Sequence, residues 1–137
     1  MRSIKYIEKK GSAQCKSSVI FGGMRSNGTT IIKAKKSRNH TELLCKYLNL
    51  PISVKTRKNH DEIKINKVKT IHPLNYNIPS DISSSAFFIV LTALSNNSEL
   101  IIKKVNVNPS RTGIITILKK MGISITFKNQ KIYKGEK

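Results

Sequence analysis

The chain has 137 residues, 38% of them hydrophobic and none of them Trp, which allows one ordinary domain or two small ones around a modest core. The formal net charge of +19 invites a nucleic-acid-binding reading, but Lys9-Lys10, Lys35-Lys36, Lys103-Lys104 and Lys119-Lys120 are scattered pairs and the few aromatics form no base-stacking motif. No apolar run approaches the roughly 20 residues of a membrane span and no apolar h-region follows Met1-Arg2-Ser3-Ile4-Lys5-Tyr6, so the expectation is a cytoplasmic protein with no membrane or nucleic-acid partner and a surface that concentrates anionic small molecules.

In chain order, Tyr6 and its neighbours predict a leading strand. Residues 12–24 predict a helix, with apolar Ala13, Cys15, Val19, Ile20, Phe21 and Met24. The β-branched stretch 29–34 predicts a buried strand. A second helix is expected over 40–49, with Leu43, Leu44, Tyr47 and Leu48 on one face. Asn39 and Glu42 resemble a capping box at its start, and Pro51 is a stop just beyond it. Strands are expected near 52–56 and 62–67. Cys15 and Cys45 form no CxxC pair and have no His at ligand spacing, so both are expected as reduced, buried thiols; a disulfide or a reactive nucleophile is the alternative.

His72 to Ser80, with Pro73 and Pro79, predicts an extended connection, either a strand-like link or an interdomain hinge. Asp81 is placed to cap a nearly all-apolar helix over 82–94, which ought to be buried on several sides. A strand is expected at 99–105 and a helix from Asn108-Pro109, with Ile114, Ile117, Leu118 and Met121 on one face and Gly122 ending it. Strands near 123–128 and 131–133 complete the chain.

These elements repeat. Gly28 to Lys33, Leu43 to Leu48 and Leu50 to Lys55 match Ser98 to Lys103, Ile114 to Lys119 and Met121 to Thr126 at an offset of about 70 residues. Each copy reads helix–strand–helix–strand–strand, so the chain carries two copies of one supersecondary unit.

Four stretches carry a resemblance. Gly11-Ser12-Ala13-Gln14-Cys15-Lys16-Ser17-Ser18 resembles a family segment S-A-Q-x-K-S. Ser37-Arg38-Asn39-His40-Thr41-Glu42 resembles S/T-R-D-H-T-E, and Ile78 to Phe87 resembles P-G-D-I-S-S-A-A-F. Asn106 to Gly122 resembles N-P-T-R-x-G followed by L-x-x-M-G. In this order and spacing they identify the chain as resembling an internal part of the 3-phosphoshikimate 1-carboxyvinyltransferase (EPSP synthase) family.

The resemblance implies an α/β (α+β) fold of repeated βαβαββ units, an incomplete part of the enolpyruvyl transferase inside-out α/β barrel. Residues 1–78 would belong to the phosphoshikimate-side domain and 79–137 to the second domain. The implied reaction moves the enolpyruvyl group of phosphoenolpyruvate to the 5-hydroxyl of shikimate 3-phosphate, a step of aromatic amino acid biosynthesis, with no cofactor and no metal. The implied shikimate 3-phosphate contacts are Ser12, Ala13, Gln14, Ser37 and Arg38, with Gln14 also approaching phosphoenolpyruvate. A helix start with free amides and a hydroxyl suits such an anion, though Ser12 as a plain N-cap is the bland alternative.

Lys16 either adds to the anion field or is structural, and Arg111 is expected to cap and pack. His40, His60 and His72 show no ligand or triad spacing. Two positions depart from the family pattern: Asn39 replaces Asp, and Ser80 replaces Gly at the hinge. The family's catalytic Lys, its Asp base and its phosphoenolpyruvate-clamping arginines have no counterpart in the chain. No catalytic residue is therefore assigned, the isolated chain is expected to show no turnover, and it is expected to associate or fold poorly through exposed apolar faces. A complementary segment of the same enzyme is the macromolecular partner this suggests. The alternatives are a basic nucleic-acid-binding module and, within the same fold, UDP-N-acetylglucosamine 1-carboxyvinyltransferase, against which the Ser-Ala-Gln and Ser-Arg-Asn-His-Thr-Glu segments argue.

Overall fold

A computed structural model describes residues 1–136, which divide into two compact units at Leu74 and Asn75. In the first unit β1 (Lys5–Glu8), α1 (Ala13–Met24), β2 (Thr30–Lys35), α2 (His40–Tyr47), β3 (Ile52–Thr56) and β4 (His60–Ile65) follow one another. This is the βαβαββ order that the residue periodicities imply. The sheet order is β1-β2-β4-β3. β1 and β2 are parallel, as strands joined by a crossover helix must be, and β4 pairs antiparallel with both β2 and β3.

Alternation along the strands sorts the two faces of the sheet. Ile32, Ala34, Ile63 and Ile65 point inward and join Ile20 and Met24 of α1 and Cys45 of α2 in one core. Tyr6, Ile52 and Val54 pack at its margin. The register places Lys5, Lys33, Lys35, Lys55 and Lys64 on the other, exposed face. Part of the charge is thus a lysine-coated sheet surface, where long side chains remain hydrated.

α1 lies close to the sheet at Gly23. A Cβ there would stand 2.4 Å from Ile65 Cγ2 and 3.1 Å from Thr30 Cβ, so glycine is required by space. The buried face of α1 is Lys16, Ile20, Gly23 and Met24. This differs from the apolar face expected: Cys15 is exposed and Phe21 is 56% exposed. α2 is likewise turned, with Glu42 and Cys45 buried while Leu44 and Tyr47 reach solvent. Its start is not a capping box, because the Asn39 side chain makes no cap hydrogen bond and Glu42 is engaged elsewhere. Asn49 adopts φ +53° after α2, a left-handed turn that ends the helix before Pro51.

The second unit contains α3 (Ile82–Leu94) and α4 (Gly113–Lys120). The Asp81 side chain accepts from the Ser83 amide and caps α3, as its position implied. α4 begins later than expected because Asn108 turns the chain first. Its Oδ1 accepts from the Ser110 amide at 2.9 Å, and its carbonyl accepts from the Arg111 amide at 2.8 Å. Gly122, at φ +88°, ends α4 with the Ile123 amide donating to the Leu118 carbonyl.

The strands expected at 99–105, 123–128 and 131–133 do not form ladders among the described residues. Isolated bridges join Ser80 to Val105 and Tyr133 to Glu136. The Ser80–Val105 bridge is parallel and has the same chain spacing as the parallel Arg2–Asn27 bridge beside β1 and β2. Without a sheet face in this unit, α3 has little to pack against. Ile82 is its buried residue, while Phe87 and Leu94 are each 80% exposed. No helix of the described residues is long and apolar enough to cross a membrane.

Candidate anion site at the start of the first helix

Because β1 and β2 are parallel neighbours, their C-terminal ends open on the same edge of the sheet. The turn after β1 leads into α1, and the turn after β2 leads into α2. The two turns meet there: a Cβ on Gly11 would lie 3.4 Å from the Lys36 carbonyl oxygen. Gly11 holds φ +75°, a left-handed conformation natural to glycine.

Glu8, at the end of β1, shapes the first turn. Its carboxylate accepts from the Lys10 amide at 2.8 Å and from the Gly11 amide at 2.7 Å. Burial pushes this carboxyl up, but hydrogen bonds from the Ser12, Lys10 and Gly11 amides and the nearby Lys16 charge outweigh it. The net effect holds Glu8 below its ordinary range. Ser12 then caps α1, its Oγ accepting from the Cys15 amide at 3.2 Å, and the Lys16 amide donates to the Ser12 carbonyl.

The first-turn amides of Ala13 and Gln14 find no acceptor among the described residues, and a helix N-terminus carries a partial positive charge. Ser12 and Ala13 are half-buried and Gln14 is exposed. The start of α1 can therefore receive an anionic oxygen on two backbone amides.

The second turn brings Ser37 and Arg38. Arg38 is exposed, so its guanidinium is free to move onto a ligand. Ser37 Oγ is buried and has no hydrogen-bond partner among the described residues. All five residues singled out by the resemblance thus lie at one edge of one sheet, on the two turns and the first turn of α1.

Further polar side chains beside these turns lie outside the five residues singled out by the resemblance. Lys16 is fully buried, with Nζ 2.8 Å from the Arg38 carbonyl oxygen and 2.7 Å from Glu42 Oε1. Glu42 is 3% exposed. Ser17 Oγ lies 2.7 Å from Thr41 Oγ1, a second link between α1 and α2. The available signal was spacing: Lys16 stands four residues before Ile20 and seven before Gly23, on the stripe that the helix buries. Glu8 offered no comparable signal.

No group of three or more His, Cys, Asp or Glu able to hold a metal ion occurs among the described residues. In the second unit Arg111 pairs with Asp81 at 2.6 Å and donates to Ser83 Oγ. The Ser83 amide, the Ser84 hydroxyl and Arg111 lower the Asp81 carboxyl despite partial desolvation. Arg111 is thereby committed to the start of α3, in keeping with the capping role expected of it.

A model of the family described as EPSP synthase (3-phosphoshikimate 1-carboxyvinyltransferase) matches residues 1–137. A 3-phosphoshikimate 1-carboxyvinyltransferase of Staphylococcus aureus strain JH9 is 39% identical over 135 residues, covering 95% of this chain and 30% of that protein. One from Caldicellulosiruptor saccharolyticus is 40% identical over 137 residues, covering 99% of this chain and 31% of that protein. The solved EPSP synthase of Acinetobacter baumannii superposes with a TM-score of 0.83 at 35% identity, covering 99% of this chain and 30% of that one. The chain spans about 30% of the length of the relatives it matches. Over its whole length, with its βαβαββ unit and its paired turns, this chain belongs to the EPSP synthase family.

Proposed function

We propose that the chain is the part of a 3-phosphoshikimate 1-carboxyvinyltransferase that grips shikimate 3-phosphate, and that by itself it does not turn over. The reaction transfers the enolpyruvyl group of phosphoenolpyruvate to the 5-hydroxyl of shikimate 3-phosphate and releases phosphate. A tetrahedral intermediate lies on that path, so a carbon must be protonated, a hydroxyl activated and several anionic oxygens held.

The roles divide by chemistry. The Ala13 and Gln14 amides and the Ser12 hydroxyl receive the phosphate at the positive end of α1. Ser37 adds a hydroxyl, and Arg38 supplies a charged fork for phosphate or carboxylate. The Gln14 side chain reaches from shikimate 3-phosphate toward phosphoenolpyruvate. Ala13 contributes backbone and shape. None of these groups is a strong acid or base, so the chain holds substrate while the chemistry needs groups it lacks.

The observation that carries this reading is the convergence of the two turns, Gly11 against the Lys36 carbonyl, in a chain whose full length matches the family. Residues 1–78 then serve the phosphoshikimate side and 79–137 begin the second domain. A complementary segment of the same enzyme is the macromolecular partner, and the cytoplasm is the setting. The test has two arms. Shikimate 3-phosphate should shift the amide resonances of Ala13, Gln14 and Arg38, with Arg38→Ala weakening the response about tenfold or more. The chain with both substrates should release no phosphate; steady-state release would overturn the inactive reading. A steep salt-dependent affinity for RNA or DNA with no response to shikimate 3-phosphate would favour a nucleic-acid module instead.

A further inference from the structure

We infer that Lys16 is a positioning residue: its buried ammonium clamps the Ser37-Arg38 turn to the start of α1 and so sets the spacing of the two halves of the anion site. The inference rests on the reading of this site as the shikimate 3-phosphate grip, and concerns a residue that does not itself touch the ligand.

Lys16 leaves α1 one turn after the Ser12 cap and is fully buried. A lysine ammonium has three donors and no acceptor, and burying it unpaired is costly. Here one donor goes to the Arg38 carbonyl at 2.8 Å and another faces Glu42 Oε1 at 2.7 Å. Glu8, at the other side of the α1 start, feels the same charge. The ammonium is thus held by one carboxylate and one carbonyl at close range, at the junction of α1 and α2 and not at the open start of α1.

Two of these contacts have different consequences. The Lys16–Glu42 pair joins α1 to α2, and a pair of apolar side chains of similar volume could hold those helices as well. The bond to the Arg38 carbonyl has no apolar substitute. It fixes a peptide within the turn, between Arg38 and Asn39, and that turn carries both the unpartnered Ser37 hydroxyl and the free Arg38 guanidinium. A charge-assisted hydrogen bond to this carbonyl sets where those groups point relative to the Ala13 and Gln14 amides. The ligand then meets two turns already in place, and less of its binding energy goes into ordering them.

The design follows from that distinction. Lys16→Met alone strands Glu42 in the interior and should lower the urea midpoint of the first unit. Lys16→Met combined with Glu42→Leu removes the stranded charge and should restore the midpoint. In both variants the Arg38 carbonyl loses its donor. Backbone order parameters at Ser37, Arg38 and Asn39 should then fall from about 0.85 toward 0.6, with β2 and β4 unchanged. The Arg38 carbonyl carbon should shift, and shikimate 3-phosphate affinity should drop about tenfold or more in the stable double variant.

Recovery of loop order and affinity together with the midpoint would overturn the inference, since Lys16 would then be packing alone. If the parent chain gives no response to shikimate 3-phosphate, the substrate reading fails. The order parameters and the carbonyl shift still uphold or overturn the clamp.

Discussion

The two units share one sequence pattern and reach different ends. Residues 1–74 close a four-stranded sheet and bury Ile20, Ile32, Ala34, Ile63 and Ile65 completely. Residues 75–136 form the corresponding helices and helix ends, but Ile82, Ile115 and Leu118 are the buried hydrophobic side chains there. A helix satisfies its backbone within one segment, so Asp81, Gly122 and apolar periodicity suffice to specify it. A strand needs a neighbour for each amide, and its β-branched residues need a face to cover. The difference teaches that the repeat encodes helices locally and sheets conditionally.

The sharpest way to break this comparison is to remove matched apolar groups from each unit. Ile63→Ala, at a position with no exposed surface, should cost about 2–5 kcal/mol in urea unfolding followed on the β2 and β4 amides. Phe87→Ala, at a site 80% exposed, should stay within about 0.5 kcal/mol when followed on α3. A large loss from Phe87→Ala in the monomer would mean that the second unit holds a core of its own. Phe87→Ser should also reduce self-association, seen by sedimentation, if the exposed α3 face drives it.

A smaller effect tests how tightly α1 sits on the sheet. Gly23→Ala would raise helix propensity, but its methyl would meet Ile65 Cγ2 at 2.4 Å and Thr30 Cβ at 3.1 Å. Overpacking should win and destabilise the first unit by about 1–3 kcal/mol. Gly22→Ala has no atom within 4 Å to meet and is the control: it should be neutral or stabilising.

Much of the first unit was legible. The strand at 52–56 and the helix at 12–24 follow from alternation and capping, because Ser12 and the Val-Ile-Phe run act locally. What periodicity misjudged was which face is buried. Apolar counting turned α1 toward Cys15 and Phe21, whereas the fold buries Lys16 and Gly23. A lysine enters a core only when distant residues supply its partners, and Glu42 and the Arg38 carbonyl lie more than twenty residues away in the chain. The site residues Ser12, Ala13, Gln14, Ser37 and Arg38 came from the resemblance; periodicity alone left Ser12 a cap. In the second unit the stretch 99–105 forms, among the described residues, only an isolated bridge from Val105 to Ser80, because β-branched composition states a preference, not the presence of a partner.

Each unit carries a carboxyl held low by the groups around it, Glu8 in one and Asp81 in the other, so acid acts on both. Glu8 belongs to the first, and its carboxyl lies below the ordinary 4.5 because three backbone amides and Lys16 favour the charged form more than burial opposes it. A carboxyl lowered in the folded state binds its proton more weakly there than in the unfolded chain. Its stabilisation is therefore full above the unfolded value and is lost as pH falls through the folded one. Unfolding of β2 and β4 followed from pH 6 downward should accordingly show stability declining below about pH 5. Glu8→Gln should lower stability at neutral pH and flatten that decline, since the amide cannot carry the charge that the Lys10, Gly11 and Ser12 amides and Lys16 reward. An unchanged slope in Glu8→Gln would mean that another carboxylate governs the acid limb, and that the turn preceding α1 holds its shape without Glu8.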